Sequence, residues 1–177
     1  MKRLFLLALS GLMAFSSAQA AESIHIFLKG KVTGEIQGDG KEGAIMGLAF
    51  EHEIVSPRDA SSGLPTGRRQ HKPLTIVKPI DKASPLVMKM LTTNETCDMT
   101  LKFFRKNAQT GASEEYYSIK LTNATVCGVR AWKPNTRDVS ADRAGDLEEV
   151  SFTYQKIEWI YKDGGVTHED SWETQQT

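Results

Sequence analysis

The groups in this 177-residue sequence that could do chemistry are four histidines, two cysteines and scattered carboxylates. His25, His52, His71 and His168 show no metal-binding spacing, since neither H-E-x-x-H nor C-x-x-C occurs. Glu51-His52-Glu53 gathers three titratable groups, but alternation along a strand sends both glutamates to one face and His52 to the other. They read as strand surface and edge. No G-x-S-x-G elbow is present, and Cys97 and Cys127 have no basic neighbours to activate a thiolate. Gly38-Asp39-Gly40-Lys41-Glu42-Gly43 matches G-x-G-x-x-G letter for letter. That motif holds a pyrophosphate only where it opens a helix. Here Ala44 to Val55 alternates like a strand, so the glycines read as a hairpin connection. The sequence predicts no enzyme, no cofactor and no metal.

One basic cluster remains, Arg68-Arg69-Gln70-His71-Lys72. A nucleic-acid surface would repeat such charge across a face and interleave aromatics, and neither occurs. The cluster shares a loop with Arg58 and Asp59. It reads either as a solvated loop or as a protein–protein contact, where arginine is favoured and charges pair across the interface.

The elements that would position these groups are mostly strands. Ile24, Ile26 and Leu28 alternate with polar or opposite-facing residues, as do Met46, Leu48 and Phe50, then Met99, Leu101 and Phe103. Leu74 to Lys78 is a further strand, and Tyr116 to Trp132 a long one or a pair. Residues 99–106 and 114–121 predict a hairpin whose paired numbers sum to about 220. Val150, Phe152 and Tyr154 share a face, but Ile157, Trp159 and Tyr161 are out of phase with them by one residue, which predicts a bulge or bend near Gln155. One helix is expected, with Ser84 as N-cap, Pro85 in the first turn, and Leu86, Val87, Met90 and Leu91 as its apolar stripe, ending near Thr93. Two loops exceed what a compact fold needs: Ser56–Pro73 and Lys133–Gly145. The pattern predicts a mainly β fold: a small β-barrel of two packed antiparallel sheets, one short flanking α-helix and a long protruding loop.

Composition bounds the rest. Twenty-two Lys and Arg balance twenty-two Asp and Glu, which excludes a basic nucleic-acid arm or an acidic tail. At 40% hydrophobic and 25% charged, the chain is an ordinary folded globule. Lys2 and Arg3, the apolar run Leu4–Phe15 and Ala18-Gln19-Ala20 form the three parts of a secretory signal peptide, with cleavage after Ala20. Residues 1–20 are therefore read as signal and 21–177 as one domain, periplasmic or extracellular, with no membrane span. Initiation at Met13 would delete the signal's front and leave assembly in the cytoplasm. Two cysteines in an exported chain invite a disulfide. The hairpin register opposes it, placing Cys97 opposite Asn123 and Cys127 a further ~13 Å along the strand, against the ~7 Å limit for a bridge. A bulge would close part of that gap, so a Cys97–Cys127 bridge stays open as the lesser alternative.

Residues 47–91 resemble the Hcp family, the hemolysin-coregulated protein of bacterial type VI secretion. The likeness rests on Ser62-Gly63 and Thr66-Gly67-Arg68, the His71-Lys72-Pro73 triplet and Asp81-Lys82-Ala83-Ser84-Pro85-Leu86. It continues through Thr100–Arg105 and Tyr116–Val126 to Glu149–Trp159, and spans nearly all of 24–172. The resemblance implies a barrel whose six copies form a homohexameric ring, with rings stacking into a tube inside a contractile sheath behind a tip protein. It also implies that the lumen carries small effector proteins and that no catalysis occurs. The long loop would contact the neighbouring ring, making Asp59, Arg68, Arg69, His71 and Lys72 candidate contacts. The signal peptide departs from the family pattern, and an exported barrel that carries or inhibits a small protein without polymerising is the alternative.

Overall fold

The computed structural model describes residues 22, 24–135, 137 and 145–172. The signal segment, its cleavage point after Ala20 and most of the 133–145 loop lie outside the described residues.

Alternation builds the fold as expected. The strands are β1 (Ile24–Gly30), β2 (Gly34–Ile36), β3 (Ile45–Gly47), β4 (Ala49–Glu51), β5 (Ile54–Val55), β6 (Gln70–His71), β7 (Leu74–Pro79), β8 (Thr96–Lys106), β9 (Ser113–Trp132), β10 (Leu147–Thr153), β11 (Lys156–Tyr161) and β12 (Val166–Ser171), with one helix, α1 (Ser84–Thr93). Ten strands form one antiparallel sheet, ordered β2-β1-β8-β9-β10-β7-β4, with β11 and β12 branching from β9 and β3 pairing β1. β5 and β6 form a separate ribbon. The fold is mainly β, but the large sheet is not a closed ladder. Its seam is spanned by residues 45–51, which change partner at Leu48: β3 pairs β1 and β4 pairs β7. The inward positions of β1, β7, β8, β9 and β10 supply the core, in which Ile26, Leu74, Leu101 and Val150 are 0% exposed.

The hairpin of β8 and β9 has the expected register. Met99 pairs Leu121 and Phe103 pairs Tyr117. It slips between Cys97 and Met99, so that Cys97 faces Ala124. Asn123, in the slip, takes φ +49°. Cys97 is buried and Cys127 exposed, and both are free thiols, so the lesser alternative of a bridge is not realised. Beyond Asn123 the long strand changes neighbours: its first part pairs β11 and its second β10. The one-residue phase change near Gln155 is the bend between those two strands.

The glycine-rich stretch is not the expected hairpin connection: β2 and β3 both pair antiparallel with β1, so they follow one another along the same edge and the glycines form a loop bulged out between them. Gly38 N–H donates to Gly43 C=O at 2.8 Å. A side chain at Gly38 would put its Cβ 2.4 Å from the Ile45 Cα. Helix α1 ends as expected, with Asn94 at φ +52°, but its cap differs: Ala83 is the N-cap and Ser84 the first helical residue. The serine hydroxyl is drawn elsewhere. It donates to Glu148 Oε1 at 2.8 Å and accepts the Asp81 N–H at 3.0 Å. Glu148 and Lys78 are buried, and the Lys78 ammonium lies 2.7 Å from Glu148 and 2.8 Å from Asp81. This charged knot ties the helix start to β7 and β10, with two carboxylates balanced by one ammonium and the helix N-terminus.

Candidate functional site: the arm and its root

The polar segment 56–73 is a folded arm. β5 and β6 pair at its base, Ile54 opposite His71 and Val55 opposite Gln70. Further out, Thr66 N–H donates to Pro57 C=O and Arg58 bridges Pro65. Asp59 shapes the tip. Its Oδ1 accepts the hydroxyl and backbone N–H of both Ser61 and Ser62 at 2.6–3.1 Å. Those serine hydrogen bonds lower its carboxyl to about 2. Gly63 then turns the chain at φ +70°, a conformation that glycine adopts without strain. Leu64 at the tip is 65% exposed.

At the root the arm is bound to the body. Arg69 makes a two-pronged ion pair with Asp170 of β12 and donates to the Ser171 carbonyl at 3.1 Å. His71 Nε2 lies 3.0 Å from Asp170 Oδ2, the oxygen that Arg69 Nε also engages, and Nδ1 lies 2.9 Å from the Tyr154 hydroxyl. That hydroxyl also meets His52 Nε2 at 2.5 Å. Trp172 covers the His71 ring at 5.3 Å between centroids. Burial pulls the Asp170 carboxyl up, but the Arg69 hydrogen bonds and charge, with those of His71, outweigh it and hold it below its ordinary value. Burial, then the Asp170 charge, push the Tyr154 phenol up. Burial, then the charge of His71, push His52 down.

The five candidate contact residues therefore separate. Asp59 is committed to the tip turn. Arg68 is exposed and has no ion pair among the described residues. Lys72 is exposed and pairs with Glu53 at 2.7 Å. Arg69 and His71 face inward to the root, and the His71 side chain is only 3% exposed. His52, Tyr154, Asp170 and Trp172 escaped the sequence reading. Alternation placed His52 opposite its glutamates correctly, yet that inner face is the root and not open surface. Nothing local marks Asp170, which lies 101 residues from Arg69.

Residues 25–161 match the family described as "Type VI secretion system effector, Hcp". The chain belongs to the Hcp family. Among its Hcp-like relatives is the major exported protein of Pseudomonas aeruginosa, 37% identical over 140 residues that cover 78% of this chain and 81% of that one. A crystal structure of an Hcp protein matches with a TM-score of 0.80 at 28% identity, covering 88% of this chain and 100% of the other. A double mutant of Hcp1 from E. coli EAEC 042 matches at 0.76 and 33% identity, covering 86% and 99%. The Hcp assignment makes this a protein of type VI secretion. Among the described residues no His, Cys, Asp and Glu group could hold a metal, and no helix is long and apolar enough to cross a membrane.

Proposed function

We propose that this protein is a structural component of the type VI secretion tube: six copies close into a ring, rings stack through the arms, and the assembly works by shape and not by catalysis. The arm is the observation that carries this reading. It is a hairpin locked at its root and exposed at its tip, where Arg58 and Leu64 face solvent, and Arg68 is exposed nearer the base. A projection held so firmly suits a contact with a neighbour that must recur identically in every copy. Edges support the ring. β12 pairs only β11, and β2 only β1, among the described residues. A neighbouring copy covers such an edge. The lumen of the ring would carry small effector proteins, and sheath and tip proteins would meet its outside and end. Residues 1–20 would direct export, with cleavage after Ala20.

Size-exclusion chromatography with light scattering tests the ring, and a mass about six times the monomer is expected. A strict monomer at high concentration would refute the ring and leave the non-polymerising carrier barrel. N-terminal sequencing of exported protein tests the leader, and a first residue other than Ala21 would refute cleavage after Ala20.

A further inference from the structure

The root of the arm holds a chain of hydrogen bonds whose direction Asp170 fixes. An ionised carboxylate only accepts, so His71 must donate through Nε2. A neutral His71 then has a lone pair at Nδ1, which receives the Tyr154 proton, and the Tyr154 oxygen accepts from His52 Nε2. One added proton on His71 reverses the chain: Nδ1 donates to the Tyr154 oxygen, and the Tyr154 proton turns to His52. A second added proton has no arrangement. Both imidazoles then aim N–H at one oxygen, and the phenol proton of Tyr154, 6% exposed, is left without an acceptor.

We propose that His52, Tyr154 and His71 form an acid latch, which holds the arm at neutral pH and releases its root when both histidines are protonated. As regulation of stacking, this rests on the arm being the ring-stacking element. The groups facing His71 are Asp170 from β12, Tyr154 from the bend after β10 and His52 from the segment after β4. Arg69, the residue just before β6, also holds Asp170, and Lys72 and Glu53 pair at the surface nearby. Trp159 touches His52, and His168 stacks on Trp159, one ring removed. His52 is pushed below its ordinary 6.5 in the closed root. An opened root frees it and so binds more protons. The closed arm therefore loses stability as pH falls through that ordinary value, and goes on losing it until His52 titrates in place.

Hydrogen–deuterium exchange of the full chain between pH 7.5 and 5.0, corrected for intrinsic rates, tests the latch. Protection of the amides in 54–72 is expected to fall, approaching about tenfold per pH unit where one extra proton is taken up. The β8–β9 hairpin should stay level and serve as the control. His52→Gln keeps a donor to Tyr154 without a titrating ring, so its arm protection should be flat. Tyr154→Phe removes the contested oxygen but leaves the burial and the His71 charge that hold His52 down, so the acid loss should shrink there without vanishing. Wild-type arm protection unchanged across this range, or an undiminished slope in His52→Gln, would overturn the latch. Failure to stack at pH 7.5 would refute the stacking role while leaving the latch standing, and flat arm protection in stacked rings would refute the latch alone.

Discussion

Arg68 and Arg69 adjoin in sequence, but their replacement is expected to have different consequences. Arg69→Ala removes the two-pronged pair with Asp170 and the donation to the Ser171 carbonyl. Hydrogen bonds to charged groups contribute roughly 1.5–3 kcal/mol each. The Arg69 side chain is 31% exposed and Asp170 11%, so solvent screens the pair. The loss at the root is then about 2 kcal/mol. That corresponds to roughly a thirtyfold larger fraction of opened arms. Arg68→Glu breaks no hydrogen bond or ion pair among the described residues and should leave stability within about 0.5 kcal/mol. It should still weaken stacking, because it reverses charge on the exposed side of the arm. Denaturant unfolding and hydrogen exchange of the arm report the first effect, and electron microscopy under tube-forming conditions the second. Both variants should still form rings. Unchanged arm protection in Arg69→Ala would refute the root pair as the anchor. Unchanged tubes in Arg68→Glu would refute this residue's assignment to the ring-to-ring contact.

Three further outcomes are expected. Lys78→Met strands two buried carboxylates and should cost about 3–5 kcal/mol, while Lys78→Met with Glu148→Met should recover most of it. Denaturant melts check both, and a single-variant loss under about 1 kcal/mol would contradict the knot's role. One thiol per native chain should react with a disulfide reagent, since Cys127 is exposed and burial pushes the Cys97 thiol up to about 12. Two fast-reacting thiols would show Cys97 to be accessible. The tip turn should persist in mild acid, because Asp59 sits at about 2: its contribution is complete above the ordinary 3.8 and is lost as pH falls through about 2. Carboxyl titration by NMR checks this, and a midpoint near 3.8 would contradict it.

What the sequence disclosed was periodic and local. Alternation gave the strands, and the turn at 107–113 set the register, because a two-residue side-chain period allows one pairing that buries Leu101 and Ile119 together. The helix boundary at Thr93 followed from its apolar stripe. The cap failed because Ser84 could serve either its own helix or a buried carboxylate, and only the fold brings Glu148 to it. The root failed for the same reason. Arg69, His71, Tyr154 and Asp170 meet across about a hundred residues, and no short-range rule joins them. The arm was visible as a long polar stretch. That it is a hairpin depends on Asp59 gathering Ser61 and Ser62, a local turn that the letters 59–63 did contain.

The phase change near Gln155 links these observations. β9 is twenty residues long and pairs β11 along one part and β10 along the other, so the two partners must part where it bends at Asn123. Tyr154 lies in that break, where a strand end frees its hydroxyl from the ladder's regular spacing and aims it at two histidines. The break also begins the run through β11 that ends in β12, which carries Asp170. One irregularity in the sheet thus supplies both anchors of the arm, the phenol directly and the carboxylate through the next hairpin. A bend that looked like a defect in alternation is the feature that fixes where the arm points, and restoring regular pairing there would displace Tyr154 and Asp170 together.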